Sequence, residues 1–440
     1  MRPLATCSIA LVVAFIASPV VALDPGHAAL ASVQPGDEMA HCVHADVATQ
    51  EAPAPRALDA LVDRHLAELR GVGLGLSLWI DGYGEVAARL PDLRLRPASN
   101  QKILTAVAAL EVLGESTRLT TEVSTDGLLA GGVLDGDLHL VGGGDATLTG
   151  RGRHSLQTLA QAVFDTGIRS ITGNVVADES RYDTLREANG WRELNIPESV
   201  GTLSALVVDE NRYRADWAFI ANPALFNGRR FRAALEEAGV TVGGRVRTGT
   251  APDGAVRVFG LASPTVADLV AEMLTESDNV IAELLVKEIG LVASRVGSTA
   301  AGMAAVRTVL EQLCLDPGIV QQDGSGLSHG NARSARGWRE MLQAAQERPW
   351  WETLVGGLAV AGESGTLEHR FVGTAAEDNL RAKTGTITGL RSLTGIMTTG
   401  DGRQVLFSAI VDDDDPRPKM ALVDELLVAL AEYGLPPPEG

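Results

Sequence analysis

The two ends of the chain share one kind of periodicity, and the stretch between them has another. At the amino-terminal end, helical spacing over 57–69 precedes two apolar strands at 71–80 and 85–90. At the carboxyl-terminal end, strands at 390–398 and 404–411 lead into a last helix. Strands from both ends can share one antiparallel sheet, so we expect an α+β fold in which one domain is interrupted by another.

The interruption also sets the expected domain boundaries. A chain of 440 residues exceeds one ordinary domain. We expect the interrupted domain to comprise 57–124 and 263–440, and an inserted, mainly-β domain to comprise 125–262. Further helices are predicted at 97–113, 156–166, 226–238, 266–275, 280–292, 299–314, 335–345 and 419–433.

The first 22 residues have the pattern of an export signal. Arg2 precedes an apolar run at 9–17, and small residues follow up to Ala22. Residues 23–56 are rich in Ala and Pro and predict a tail. No later run reaches the ~18 apolar residues that a membrane span needs. We therefore expect an exported protein of the periplasm, cell wall or medium, with no transmembrane anchor in the mature chain.

Charge and rare residue types disfavour several classes of protein. Lys plus Arg number 37 against 56 Asp plus Glu, and the resulting charge of −19 disfavours nucleic-acid binding. The eight His contain no HExxH pattern, which disfavours a zinc peptidase, and we expect no metal site. Three Cys are too few for a disulfide scaffold, although Cys42 and Cys314 could pair after export.

Lysine is rare in this chain, and its positions carry information. The basic residues are almost all Arg, and the exceptions are Lys102, Lys287, Lys383 and Lys419. A guanidinium stays charged in proteins, whereas an amine can become neutral. A retained Lys therefore hints that an amine is needed.

Ser99 and Lys102 stand three residues apart at the start of a predicted helix, so their side chains share a face. A desolvated amine has a lowered pKa and can accept the hydroxyl proton, which makes the serine a nucleophile. The helix start adds N–H groups for a developing oxyanion. The same spacing also occurs on solvated helix faces, so the pair alone does not decide between these interpretations.

Two further polar segments have both a chemical and a structural interpretation. Ser277-Asp278-Asn279 lies between two predicted helices, where it can present a hydroxyl and a carboxamide to a cleft or simply cap a helix. The segment 383–386 precedes a predicted strand. Its amine and hydroxyls can dock a carboxylate beside a glycine, or it can be a plain turn into an edge strand.

The three segments together are more specific than any one of them. In the order S-x-x-K, S-D-N and K-T-G they are the shared signature of class A β-lactamases and penicillin-binding proteins. Over most of 57–435 the chain resembles the penicillin-binding D-alanyl-D-alanine carboxypeptidases/endopeptidases of low molecular mass, class C. Those proteins carry a domain inserted between the first two motifs. The segments that carry the resemblance are 140–148, 203–209, 323–328 and 381–386.

The chain differs in several features from the families that share these motifs. The long stretch between Ser99 and Ser277, and the lack of an ExxLN motif, argue against an ordinary class A β-lactamase. A second domain that the family often nests inside the first insert is missing or reduced, since Asn222 closely follows Tyr213. His329 stands where the family often has Arg, which leaves recognition of the peptide stem open.

The resemblance implies acyl transfer without a metal or organic cofactor. Ser99 would attack the carbonyl of the penultimate D-Ala while Lys102 accepts its proton. Ser277 would relay a proton to the leaving D-Ala, and Asn279 would hydrogen-bond the peptide. Water would then release the acyl-enzyme.

The resemblance also implies how the substrate binds. Lys383, Thr384 and Thr386 would hold the terminal carboxylate of a peptidoglycan stem peptide, and Gly385 would let it approach the backbone. Backbone N–H groups of Ser99 and Thr386 would hold the oxyanion. A β-lactam would enter by the same attack and stall as an inhibitor.

Two other functions remain open from the sequence. One is a secreted esterase or β-lactamase-like hydrolase on the same serine–lysine core. The other is a catalytically degenerate scaffold that binds the cell wall. The sequence also leaves open the choice between carboxypeptidase and endopeptidase action and the oligomeric state.

Overall fold

A computed structural model describes residues 52–69, 73–212, 220–315 and 321–434. The predicted signal at 1–22, most of the tail and Cys42 lie outside these residues, so those expectations stay predictions. The predicted site of the missing nested domain lies largely at 213–219, which is also outside them. Among the described residues, no helix combines the length and the apolar character that crossing a bilayer requires.

The helices alternate with short strands along the chain. The α-helices are Arg56–Glu68 (α1), Gln101–Val112 (α2), Leu156–Asp165 (α3), Asn195–Glu198 (α4), Pro223–Glu237 (α5), Val266–Thr275 (α6), Asn279–Ser294 (α7), Thr299–Gln312 (α8), Ala335–Ala345 (α9), Trp351–Gly356 (α10) and Arg417–Glu432 (α11). Short 3₁₀-helices are Ala98–Asn100, Asp209–Asn211 and Gly365–Leu367. The predicted helices are thus found with ends shifted by a few residues.

The strands form a large sheet and several smaller ones. They are Gly73–Ile80 (β1), Gly84–Arg89 (β2), Arg94–Leu95 (β3), Arg118–Thr125 (β4), Leu128–Ala130 (β5), Val133–Asp135 (β6), Leu138–Val141 (β7), Ser170–Ile171 (β8), Val175–Asp178 (β9), Thr241–Val242 (β10), Val246–Thr248 (β11), Val256–Thr265 (β12), Arg333–Ser334 (β13), Ala359–Val360 (β14), Arg381–Ile387 (β15), Leu390–Thr398 (β16) and Gln404–Asp412 (β17).

The two ends of the chain meet in the large sheet. Its strand order is β14-β15-β16-β17-β1-β2, and every neighbouring pair is antiparallel. The register between β1 and β17 runs from Gly73 opposite Asp412 to Ile80 opposite Val405. The predicted α+β core, shared by both ends, is therefore confirmed.

Helices cover both faces of this sheet. On one face, α1 and α11 bury side chains such as Leu58 and Leu426 against β1 and β17. On the other face, α9 packs on the sheet, and α2 lies deeper among α6, α7 and α8. Every residue of α2 from Gln101 to Leu110 is buried, as expected for the central helix of a helical layer. The start of α2 therefore lies inside the protein.

The stretch between β4 and β12 has its own core. One sheet has the order β11-β9-β7-β4-β12 and a second the order β10-β8-β6-β5, and both mix parallel and antiparallel pairs. The helices α3 and α5 pack on them around Leu159 and Phe231. Because β4 and β12 pair antiparallel, the chain enters and leaves this region at neighbouring points. The expected boundaries at 125 and 262 remain a prediction.

Candidate active site

Ser99 lies at the entrance to the central helix. It is half-buried in the 3₁₀-helix Ala98–Asn100, which leads directly into α2. Ala98 has a φ of +47°, a left-handed backbone conformation that a non-glycine residue adopts only under constraint. On the side of the sheet, Asn100 Nδ2 donates to Thr394 Oγ1 at 2.6 Å. The serine is thus held on a fixed turn between the helical layer and the large sheet.

Lys102 is fully buried and points its amine at three neutral acceptors. Nζ donates to Ser99 Oγ at 3.2 Å, to Asn279 Oδ1 at 2.6 Å and to the Ser325 carbonyl at 2.8 Å. Burial lowers the pKa of Lys102 to about 8, against the opposing effect of nearby carboxylates, first of all Asp278. This amine can therefore be neutral near physiological pH and stands within reach of the serine hydroxyl.

Within the Ser277-Asp278-Asn279 turn, one residue caps a helix and another contacts Lys102. Asp278 caps α7, because its Oδ1 accepts from Ile281 N at 2.7 Å. Asn279 instead reaches Lys102 and donates from Nδ2 to the Ser199 carbonyl at 2.8 Å. Ser277 is half-buried with a φ of +64°. The capping interpretation therefore holds for Asp278, and Ser277 and Asn279 do not cap the helix.

Lys383 lies inside strand β15. The segment 383–386 therefore precedes a strand, β16, as expected, but it is itself part of a strand, and the alternative of a plain turn is wrong. The pattern of alternating polar and small residues concealed a strand that is nonetheless paired along its whole length with β16. The Lys383 amine is buried and donates to the Thr384 carbonyl at 3.1 Å. Burial, together with the charge of Lys102, holds the pKa of Lys383 well below its usual range. The two lysines are thus electrostatic neighbours.

Gly385 is where β15 approaches the serine turn most closely. A Cβ at this position would stand 2.1 Å from Ser392 Oγ, 2.8 Å from the Pro97 carbonyl oxygen and 3.1 Å from Ala98 Cβ. Real Cβ atoms do not approach backbone so closely, so only glycine fits. The glycine therefore sets the spacing between β15 and Ser99.

Thr384 and Thr386 line a cavity of about 360 Å³ beside β15. Thr384 Oγ1 donates to Thr366 Oγ1 at 2.8 Å, and Thr386 Oγ1 accepts from Arg391. The charged side chains that line the cavity are Arg370, Arg391, Arg417 and Asp424. An excess of positive charge beside two hydroxyls suits an anionic ligand such as a carboxylate.

The loop 321–331 contacts the site through Lys102. The sequence marked 323–328 only as a segment of family resemblance and predicted no role for it. The loop supplies the Ser325 carbonyl to Lys102, and its Asp323 carboxylate accepts from backbone and side-chain donors on both oxygens. Glu283, fully buried on α7, accepts from Gly324 N and Ser325 N through one oxygen. One signal was available, since Glu283 follows Asn279 by one helical turn.

His329 lies between two arginines. Its Nδ1 is 3.2 Å from Arg96 Nη1 and 3.4 Å from Arg192 Nη2, so it accepts from both guanidinium groups. Burial and these two positive charges lower the pKa of His329. Arg96 also pairs with Asp412 at 3.0 Å. The imidazole is therefore a neutral acceptor that holds two cations together.

Comparisons with known proteins point to one family of peptidases. The model of the D-Ala-D-Ala carboxypeptidase 3 (S13) family matches residues 60–219 and 214–430. A D-alanyl-D-alanine carboxypeptidase of Actinomadura sp. (strain R39) is 32% identical over 437 residues, covering 81% of this chain and 80% of the relative.

Solved structures share the fold at lower identity. Penicillin-binding protein 4 of Haemophilus influenzae superposes with a TM-score of 0.75 at 21% identity, covering 84% of this chain and 99% of that one. A predatory endopeptidase of Bdellovibrio bacteriovorus, solved acylated by penicillin G, superposes with a TM-score of 0.53 at 16% identity, covering 83% and 96%. The match of the family model over nearly the whole described chain, together with the relative that is 32% identical, establishes that the protein belongs to the D-Ala-D-Ala carboxypeptidase 3 (S13) family.

Proposed function

We propose that this protein is an exported serine peptidase that cleaves after D-Ala in peptidoglycan stem peptides through an acyl-enzyme on Ser99. The observation that carries the proposal is the buried Lys102 amine, 3.2 Å from Ser99 Oγ. Its hydrogen-bond partners among the described residues are all neutral, so no carboxylate at hydrogen-bond distance holds the proton on it. An amine in this setting is suited to act as a general base.

Acylation would begin with transfer of the Ser99 proton to Lys102 Nζ. The serine oxygen then bonds to the carbonyl carbon of the penultimate D-Ala, and the carbonyl electron pair moves to its oxygen. Backbone N–H groups of Ser99 and Thr386 would receive that oxyanion. The positive end of the helix that follows Ser99 adds to the same effect.

Collapse of the tetrahedral intermediate breaks the amide bond, and the leaving D-Ala nitrogen takes a proton. Ser277 would relay this proton from the lysine, since its turn contacts Lys102 through Asn279. Water attacks the ester in the second half of the reaction and restores the free serine. No metal or organic cofactor enters any step.

Substrate binding would divide between the two sides of the site. Asn279 would hydrogen-bond the acyl side of the peptide. Thr384 and Thr386 would bind the carboxylate of the leaving residue, within the positive potential of Lys383. Gly385 keeps this strand close enough to Ser99 for one short peptide to bridge both sides.

Intact-mass spectrometry with benzylpenicillin tests the proposal directly. The wild type should gain one penicilloyl group, and Ser99→Ala should gain none. Ser294→Ala is the matched control, because Ser294 Oγ only bonds the Gly290 carbonyl at the end of α7, and it should be labelled like the wild type. A parallel assay should detect D-Ala released from a stem pentapeptide by the wild type.

Other results would overturn the proposal in distinguishable ways. A Ser99→Ala protein that still releases D-Ala would exclude this serine. Ester or β-lactam turnover without D-Ala release would identify an esterase or β-lactamase-like hydrolase. A folded wild type that neither labels nor consumes penicillin would be a catalytically inert scaffold.

A further inference from the structure

Glu283 is a buried carboxyl that the reaction scheme above does not use. It lies on α7 one turn after Asn279 and is 0% exposed. Its Oε1 accepts from Gly324 N at 3.1 Å and from Ser325 N at 2.8 Å. Its Oε2 is buried and has no hydrogen-bond partner among the described residues. An ionised carboxylate would leave buried charge on an oxygen without a partner at a high cost, whereas a carboxyl protonated on Oε2 carries no charge there.

Glu283 holds the peptide between Gly324 and Ser325, and the catalytic amine docks on the carbonyl of the same residue, Ser325. Ser325 N donates to Glu283, and the Ser325 carbonyl accepts from Lys102 Nζ at 2.8 Å. The peptide between Gly324 and Ser325 is fixed from its other side, where Thr105 Oγ1 donates to the Gly324 carbonyl at 2.7 Å. A Cβ on Gly324 would stand 2.5 Å from Val286 Cγ2, so the loop is pressed between α2 and α7.

The charges around Glu283 define its influence on the lysine. Asp323 faces it from the loop and Lys102 from α2. On its own helix, Lys287 is already paired with Asp183. Asp323 accepts hydrogen bonds on both of its oxygens, and its negative charge disfavours a second carboxylate beside it. Burial, and then the charge of Asp323, raise the pKa of Glu283 to about 8.

We propose that Glu283 is a positioning residue for the acylation base: it fixes the segment 324–325, whose Ser325 carbonyl orients the Lys102 amine, and its own proton keeps that amine free to lose one. When Glu283 is neutral, the amine lacks one nearby negative charge and more readily takes the neutral, basic form. When Glu283 ionises, it stabilises the ammonium form and weakens the base. This inference rests on the proposed function of Lys102.

The test is the pH profile of acylation by fluorescent penicillin in the full-length protein. Glu283→Gln keeps the two accepted hydrogen bonds and is permanently uncharged. Its rising limb should follow the wild type well below about pH 8, where Glu283 is protonated. It should reach its plateau at lower pH than the wild type, because no carboxylate forms there to favour the charged amine, and the plateau rate should change by less than about threefold. Glu283→Ala also removes the hydrogen bonds and should lower the plateau rate by about 10-fold or more, in line with a misplaced catalytic group.

Glu288→Gln provides the matched control. Glu288 is also buried on α7, but it pairs with Arg181 and Tyr182 away from the lysine. This variant should lose stability, but the rising limb of its pH profile of acylation should stay where it is in the wild type. A Glu283→Gln profile that superposes on the wild type over the whole pH range, including above about pH 8, would overturn the inference and leave the proposed function intact. A wild type that is never acylated would instead refute the proposed function.

Infrared spectroscopy of the wild type decides the matter if Glu283→Gln does not fold. A protonated buried carboxyl gives a carbonyl stretching band well separated from that of a carboxylate. We expect such a band near neutral pH and its loss as the pH rises through about 8. A band that is absent throughout the neutral range would show an ionised Glu283 and overturn the inference.

Discussion

The site has two walls of different chemical character. The helical wall comprises the serine turn 98–100, Lys102, Asn279 and the loop 321–331, and its polar groups are buried or half-buried and paired with one another. The strand wall comprises β15 and β16, whose threonines border a cavity of about 360 Å³ with more Arg than Asp. The difference teaches that a dry, paired environment tunes a proton acceptor, whereas an open, cationic one binds an anion.

Removal of the amine from the helical wall should have the largest effect. Lys102→Ala should slow acylation by benzylpenicillin by about 10²- to 10⁴-fold, the range typical for loss of a general base. The rate is measured by intact mass over time. Lys102 also hydrogen-bonds three segments, so circular dichroism must show that the variant is folded.

Lys287→Ala is the control that distinguishes loss of the proton acceptor from loss of a buried lysine side chain. Lys287 is 1% exposed but forms an ion pair with Asp183, unlike Lys102 with its neutral partners. The folded fraction of this variant should be acylated at the wild-type rate. If the two alanine variants are equally slow, the helical wall owes its effect to packing rather than to proton transfer.

The distance between the two walls is the next largest determinant. In Gly385→Ala the new Cβ would meet the Pro97 carbonyl oxygen at 2.8 Å and push β15 away from Ser99. A displacement of this order should lower the acylation rate by about 10²-fold. Gly75→Ala is the control in the same sheet, since its Cβ would stand 3.5 Å from Ala335 Cβ, an ordinary contact. Equal rates for both variants would show that the spacing at Gly385 is not critical.

The sequence predicted the helical wall better than the strand wall, for physical reasons. The three-residue spacing of Ser99 and Lys102 fixes a shared helix face, so local geometry was enough. The Ser325 carbonyl reaches the same amine from 223 residues away, and only tertiary packing brings it there. Arg391 contacts Thr386 through the register of β15 and β16, which motif spacing does not encode.

The same contrast explains which elements were predicted and which were not. Strong amphipathic periodicity placed α6 and α9 at their observed ends. β15 carries Lys, Thr and Gly in place of branched apolar residues, and its pairing with β16 overrides that weak local preference. The Lys, Thr and Gly residues of the K-T-G motif thus kept β15 from being predicted as a strand.

The pH dependence of acylation should identify Lys102 as the titrating group of the helical wall. Acylation needs the neutral amine, and burial lowers the pKa of Lys102 to about 8. The rate should therefore rise with pH, approaching about tenfold per pH unit well below that value and levelling off above it. Fluorescent-penicillin labelling across the neutral and alkaline range measures this limb. A flat profile through the neutral range would show that a different group accepts the serine proton.

Arg391 should give the smallest effect, and one confined to the strand wall. Its guanidinium donates to Thr386 Oγ1 at the edge of the cavity, where a carboxylate of the leaving residue would also sit. Loss of one charge-assisted hydrogen bond is worth about 1.5–3 kcal/mol when fully expressed, and less in an open cavity. Arg391→Gln should thus raise KM for a stem peptide by about 10-fold with little change in kcat, and should lose the preference for a free carboxylate over a carboxamide. Arg417→Gln is the control at the same cavity, because that side chain is 75% exposed and already pairs with Asp415. A fall in kcat with unchanged KM would place Arg391 in the chemistry of the helical wall, and the division between the two walls would fail.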